Sequence, residues 1–231
     1  MVSLSTVTDT DEYYEKDYPY NFTDPMMGLS YEQEPVYEKL ANHFGEELVF
    51  KYVMSGLVRD VADFMLPQEL ALPAEDGIRV YNKRLAQIYK SEESIGGLPI
   101  NMEGFHLFDA DHRSSYPLCI AYKAAQLCDP VKADEFLLRL RRATIVETRQ
   151  TTRIDELVAV AKASDLDTDE FLRYFENGSA AKAFEEDLRL RHALNIHSLP
   201  TCLIEYGEKA ALVNGLANYE EFVNIIERMK A

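Results

Sequence analysis

Cysteine is sparse in this chain. Cys119, Cys128 and Cys202 are the whole supply, and they form neither a C-x-x-C pair nor a metal-ligand spacing. Cys119 and Cys128 fall in one helical pattern nine residues apart. At ~1.5 Å of rise per residue that is more than about 13 Å, too far for a disulfide. Long apolar runs are also missing: no window approaches the ~20 residues of a membrane span. The opening segment MVSLSTVTDTDEYYEKD has no basic start and no apolar stretch, so no signal peptide is expected. Together with an odd number of thiols, this points to a reducing cytosol, and a cytoplasmic location is expected. Basic residues are in deficit, 24 Lys and Arg against 40 Asp and Glu, for a formal charge of −16. So acidic a surface repels phosphate backbones and anionic lipid, which excludes nucleic acid and membrane surfaces as partners. The same charge serves solubility, or steering toward a basic partner. Histidines 43, 106, 112, 192 and 197 are scattered, with no cysteine or carboxylate at metal spacing, so no metal is expected. Asp109, Asp111 and His112 form the one cluster that resembles a cation site, and a solvated loop is the expected reading. There is no internal repeat and no low-complexity run.

What is present is apolar: 47% of the 231 residues, enough for one large domain or two intimate ones with a real core. Residues 1–15 are polar and acidic and are expected to be a loose tail. Tyr18, Tyr20 and Phe22 alternate as in a short strand, and Pro19 within it predicts an edge position. Asp24-Pro25 is a turn signal. Tyr31, Val36, Leu40 and Phe44 repeat as one helix face, ending at Gly45. Leu48 to Met54 reads as a largely buried strand. Strand, helix, strand is the opening of an α/β unit with a parallel pair.

The middle of the chain changes character. From 58 to 194 the pattern is nearly all helical. Ile78, Leu85 and Ile88 mark one helix; Leu118 to Leu127, with Pro117 near its first turn, a second; Phe136, Leu137 and Leu140 a third; Ile154 to Ala161 a fourth. A further helix is expected to run from Phe171 to Leu194. Gly96-Gly97, Leu98-Pro99 and residues 109–115 are the expected loops. Strands return at Pro200–Tyr206 and Ala210–Asn214, joined as a hairpin through Gly207-Glu208-Lys209. A final amphipathic helix carries Tyr219, Phe222, Ile225, Ile226 and Met229. A block of roughly 135 residues is too long for a loop, so a helical subdomain is expected inside the α/β frame. The division is 16–57 plus 195–231 for the frame and 58–194 for the insertion.

That order, βαβ, helical insertion, ββα, resembles the DsbA-like branch of the thioredoxin superfamily. Asp24-Pro25-Met26-Met27-Gly28-Leu29-Ser30-Tyr31, followed by Glu34-Pro35, is similar to the family's Asp-Pro-x-Cys-x-x-Cys-Tyr/Trp turn. Ile196-His197-Ser198-Leu199-Pro200-Thr201 is similar to its Val-Pro-Thr segment, whose proline is cis, and Gly215 stands where the second hairpin strand ends. Ser115-Tyr116-Pro117 leading into Cys119–Ala125 resembles the family's insertion helix. The resemblance implies a thioredoxin-like α/β fold interrupted by an all-helical insertion, running over about residues 18–229.

At the chemistry the sequence departs from the family. The first cysteine of the motif, whose thiolate the helix N-terminus stabilises, is replaced by Met27, and the resolving cysteine by Ser30. A thioether neither ionises nor attacks a disulfide, so dithiol exchange at this site is excluded. Met27 is then an apolar filler or a soft contact for a ligand. Ser30 is a helix-cap or first-turn residue, or a polar group toward a substrate thiol. Leu199-Pro200 either fixes a turn or offers its backbone to an extended peptide or to glutathione. Cys202, in an apolar strand, reads as a small buried hydrophobe. The leading expectation is a binding or adaptor module without a cofactor, holding a peptide or protein partner in a groove formed by Met27, Gly28, Leu29, Ser30, His197, Leu199 and Pro200. Some cytoplasmic members of the branch deliver substrates to a Clp-type protease. The alternative is a glutathione-dependent transferase or isomerase of the kappa-class type with Ser30 as its polar group. A third reading is a disulfide oxidoreductase or isomerase by fold only.

Overall fold

In a computed structural model the described residues are 19–230. The expected tail, residues 1–15, and Tyr18 lie outside them. Four strands form one sheet: β1 (Tyr20–Thr23), β2 (Lys51–Met54), β3 (Thr201–Tyr206) and β4 (Lys209–Asn214), in the spatial order β2-β1-β3-β4. β1 runs parallel to β2, pairing Tyr20 with Lys51, and antiparallel to β3, pairing Phe22 with Thr201. β1 is therefore an inner strand, not the edge strand that Pro19 predicts. Pro19 precedes the strand, and it enters the ladder through its carbonyl, which accepts from the Lys51 N–H at 2.8 Å. The missing proline N–H falls outside the pairing. β2 is the edge instead, and shorter than the hydrophobic run: Leu48 is buried, but Val49 is 51% exposed.

The parallel pair is closed by α1 (Gly28–Phe44), which starts three residues before Tyr31, the first residue of its apolar stripe, and ends where Gly45 takes φ +58°. Between β2 and β3 lie α2 (Pro67–Leu70), α3 (Ala74–Gly96), α4 (Tyr116–Cys128), α5 (Ala133–Ile145), α6 (Ile154–Ala163), α7 (Thr168–Glu176) and α8 (Ser179–Ala193); α9 (Tyr219–Lys230) ends the described chain. Two expectations are corrected here. The helix expected from Phe171 to Leu194 is two, α7 and α8, broken at Asn177-Gly178, where Gly178 adopts φ +85°. The whole of 97–115 is irregular, not only its two ends. Its backbone is satisfied by side chains: Asn82 Nδ2 donates to the Phe108 carbonyl at 2.7 Å and Thr152 Oγ1 to Leu107 at 2.7 Å.

Alternation along β3 divides the core. Cys202 and Ile204 pack with Tyr37, Leu40, Phe222 and Ile226 of α1 and α9, while Leu203 joins Phe22, Val53, Leu190 and Ile196 on the other face. The largest buried cluster is helical, with Tyr122, Phe136 and Phe171 at its heart, yet it also takes in Met26, Tyr31 and Met54 of the frame. One polar tie repeats that union: Asp187 of α8 accepts the Met54 N–H at 2.7 Å and pairs with Lys123 of α4 at 3.0 Å.

Candidate functional site

The turn from β1 into α1 is built on Asp24. Its carboxylate is buried and accepts from four groups: the Met26 N–H at 3.0 Å, the Leu57 N–H at 2.7 Å, the Ser115 hydroxyl at 2.7 Å and the Cys119 thiol at 3.4 Å. Burial raises its pKa, and these donors oppose that rise. From the other side Tyr89 of α3 donates its hydroxyl to the Met26 carbonyl at 2.6 Å. The turn is thus tied to α3, to α4 and to the segment after β2.

Met27 is the N-cap residue of α1 and gives the helix no side-chain cap. Ser30, in the first turn, is only 1% exposed. Its hydroxyl accepts from Thr23 Oγ1 at 2.7 Å and donates toward the Met27 sulfur at 3.9 Å. Thr23 Oγ1 in turn accepts from Arg141 Nη2 at 2.7 Å. Arg141 of α5 is fully buried, pairs with Glu34, and lies over the Tyr52 ring at 5.7 Å. Burial lowers its pKa to about 9. The hydroxyl expected to face a groove therefore belongs to an internal chain, Arg141 to Thr23 to Ser30 to Met27.

The Leu199–Pro200 bond is cis. Pro200 is buried, its carbonyl accepts the Gly215 N–H at 2.8 Å, and Thr201 Oγ1 donates to the Ser198 carbonyl at 2.7 Å. One register step beyond the Phe22–Thr201 pair sets Pro200 beside Thr23. The proline turn and the motif thus share one end of the sheet. His197 does not join them. It is exposed, bonds Asn195 Oδ1 at 2.7 Å, and lines a separate cleft of about 230 Å³ with Arg191 and His192.

The open space at the motif faces the insertion instead. A cleft of about 160 Å³ is lined by Met26, Met27, Gly28 and Leu29 on one side and by residues of α3 and the preceding loop on the other. Phe64, Leu85, Ile88 and Glu92 carry that second wall, and no residue of 195–200 reaches it. Ile88 is in the apolar stripe that reads as core from sequence, yet it is 43% exposed. Glu92 meets the start of α1. A Cβ added at Gly28 would stand 1.9 Å from Glu92 Oε2, so only glycine admits the carboxylate there. Burial, and after it the Glu32 carboxylate, push the Glu92 pKa up to about 7.

A family model described as thioredoxin matches residues 20–224. This chain belongs to the thioredoxin family. Its four-stranded sheet with a large helical insertion is the DsbA-like form of the thioredoxin fold. A candidate protein disulfide isomerase from Nitrosomonas europaea superposes with a TM-score of 0.74 at 18% identity, over 93% of this chain and 97% of its own. Among curated proteins, the ClpXP adapter protein SpxH of Halalkalibacterium halodurans is 26% identical over 99% of this chain and 73% of its own length. SpxH of Shouchella clausii is 24% identical over 91% and 66% respectively.

In this thioredoxin fold the helix N-terminus has lost both thiols of the motif, and the described thiols do not replace them. Cys119 and Cys202 are buried and burial drives both well away from ionisation; Cys128, part-buried, donates to the Asp167 carbonyl at 3.6 Å. The Asp109 cluster is a loop knot. Its carboxylate accepts from Gln150, from the His112 ring and N–H, and from the Asp111 N–H. These donors outweigh burial, and Asp109 falls to about 2. No three metal-binding side chains converge among the described residues, and no described helix is long and apolar enough to cross a membrane.

Proposed function

We propose that this chain is a cytoplasmic protein-binding adapter without dithiol activity, which hands a bound partner to a ClpXP-type protease. The observation that carries the reading is the similarity to SpxH adapters over nearly the whole chain. The site agrees with it. Met27 and Ser30 supply no thiolate, while the cleft beside Met27 is mostly apolar. The partner would be held at Met27, Gly28 and Leu29 together with Phe64 and Ile88 across the cleft. Leu199-Pro200 would contribute from the sheet end rather than from the cleft wall. The glutathione-dependent alternative loses its polar group, since the Ser30 hydroxyl is engaged by Thr23.

The test reconstitutes the protein with ClpX, ClpP and ATP. A partner captured stoichiometrically on the immobilised chain is expected to be degraded faster when the chain is present. Ile88→Glu is expected to abolish both capture and acceleration. A captured partner whose degradation is indifferent to the chain would sink the adapter reading. Turnover of an insulin-type disulfide with dithiothreitol would sink the redox-inactive one.

A further inference from the structure

Glu92 is the one lining charge of the Met27 cleft that no cation meets. Its Oε2 is buried and has no hydrogen-bond partner among the described residues. The cleft's cation, Arg84, is committed elsewhere. Its Nε and Nη2 grip the Glu69 carboxylate at 2.8 and 2.9 Å, and Nη2 also donates to the Phe64 carbonyl. Lys90, two residues away, pairs with Glu93 and donates to the Ile100 carbonyl. Across the helix crossing, α1 presents another acid, Glu32, buried with one oxygen on the Leu98 N–H at 2.9 Å. The remaining walls are apolar: Met26, Met27, Leu29, Leu57, Leu85 and Ile88.

An apolar slot ending in an unneutralised carboxylate is complementary to a long aliphatic side chain with a cationic tip. The volume, about 160 Å³, is well below the ~300–1,000 Å³ of sites for whole drug-sized ligands, and suits one side chain. A chain of net charge −16 also steers toward basic partners.

We propose that the cleft between the start of α1 and α3 is a receptor for a single arginine or lysine side chain of a partner protein, with Glu92 as its counter-ion and Gly28 as the clearance that lets the carboxylate reach the slot. This rests on the adapter reading and deepens it, by naming the chemistry of the segment that docks. The field at the slot is set by Glu32 of α1 and by Arg84, Tyr89, Lys90 and Glu93 of α3. Glu32 also keeps one buried oxygen without a partner, but of these acids Glu92 is the one that lines the cleft, and the start of α1 adds a partial positive charge that the ligand must outcompete.

The test is a titration of protein labelled with [¹³C-methyl]methionine, with the Met27 signal assigned through Met27→Leu. The probes are N-acetyl-arginine amide and its neutral isostere N-acetyl-citrulline amide. At pH 8 the arginine probe is expected to shift the Met27 methyl saturably and to bind about tenfold or more tighter than citrulline. That advantage is expected to vanish in Glu92→Gln, and in the unaltered protein at pH 5, where Glu92 is protonated. Equal binding of the two probes, an arginine preference retained by Glu92→Gln, or no saturable shift of Met27 would each overturn the proposal. The pH comparison needs no variant, so it stands even if Glu92→Gln folds poorly. The titration reports the slot and the ClpXP assay reports the adapter role, so each fails separately.

Discussion

The stability of the fold depends on the protonation of Glu92. Burial, with Glu32 beside it, raises its pKa from 4.5 to about 7. The folded protein therefore holds this proton to about pH 7, whereas the unfolded chain releases it near pH 4.5. Between those values the folded state binds more protons, so stability falls as pH rises through the window. At ~1.4 kcal/mol for each tenfold change in proton affinity, a rise from 4.5 to about 7 sets an upper bound near 3 kcal/mol. Partial exposure of the side chain screens this, leaving on the order of 1–2 kcal/mol. Glu92→Gln carries no charge at any pH and keeps the shape of the side chain. The expected result is that the variant matches the unaltered protein at pH 4.5 and exceeds it by about 1–2 kcal/mol at pH 8. The measurement is urea denaturation of both proteins at half-unit steps of pH. Asp24, Asp134, Asp187 and Glu32 are also raised by burial and tilt both curves. The difference between the curves isolates Glu92 and its coupling to Glu32. Parallel curves would refute the reasoning: Glu92 would then titrate in the folded state as in the unfolded chain, with no penalty from burial.

Other perturbations test the frame around the cleft. Arg141→Met removes a buried guanidinium that Thr23 and Glu34 rely on. It is expected to cost about 3–5 kcal/mol in denaturant midpoint measurements, and Arg141→Met/Glu34→Gln less than the single change, because no unpaired charge remains. Ser30→Ala leaves the Thr23 hydroxyl only the distant Asp24 carbonyl at 3.5 Å and should cost about 1–2 kcal/mol while partner capture is unchanged; loss of capture at full stability would restore Ser30 as a contact group. Native protein treated with iodoacetamide at pH 8 should be alkylated at Cys128 alone, since Cys119 and Cys202 are buried; peptide mass mapping reads the site. Phe136→Ala, at the centre of the helical core, should cost about 3–5 kcal/mol by the same denaturation.

Much of the frame is legible in the sequence because its signals are local. The hairpin turn, the glycine that ends α1 and the proline in the first turn of α4 each fix a backbone conformation through one or two residues. Pro19 shows where that reasoning stops. Its effect depends on which side of the strand's first residue it falls, and a one-residue shift turns an edge signal into an inner strand. The α7–α8 break is of the same kind: apolar periodicity continues across Asn177-Gly178, and only the positive φ of Gly178 separates the helices. The candidate site was half legible. Met27 to Ser30 stand out as residues, but the wall opposite them is set by how α3 crosses α1, a tertiary fact. Ile88 and Leu85 share an apolar stripe, and nothing in that stripe tells a core position from a cleft wall. Glu92 carries no sequence signal, because its neighbour Gly28 lies 64 residues away.

The turn at the motif does not depend on the groups that thiol chemistry would use. Asp24 holds it through four donors, Tyr89 through the Met26 carbonyl, and Arg141 through Thr23. None of the contacts made by Asp24, Tyr89 or Arg141 involves the side chain at position 27; Ser30 accepts from Thr23 and donates only toward the Met27 sulfur. Methionine and serine can therefore occupy the two thiol positions while the geometry stands. What changes is the charge at the helix start. A thiolate at position 27 would be the anion that the first turn favours. Met27 cannot supply it, and the carboxylate of Glu92 reaches the same turn from α3, through the clearance at Gly28. On the proposed reading the anion near this turn is the Glu92 carboxylate of the opposite wall rather than a thiolate of the motif; once ionised it can attract a cation, and it cannot exchange a disulfide. Gly28→Ala tests that proposal directly: it should displace Glu92, return its titration toward 4.5, and remove the arginine preference while adding no charge of its own.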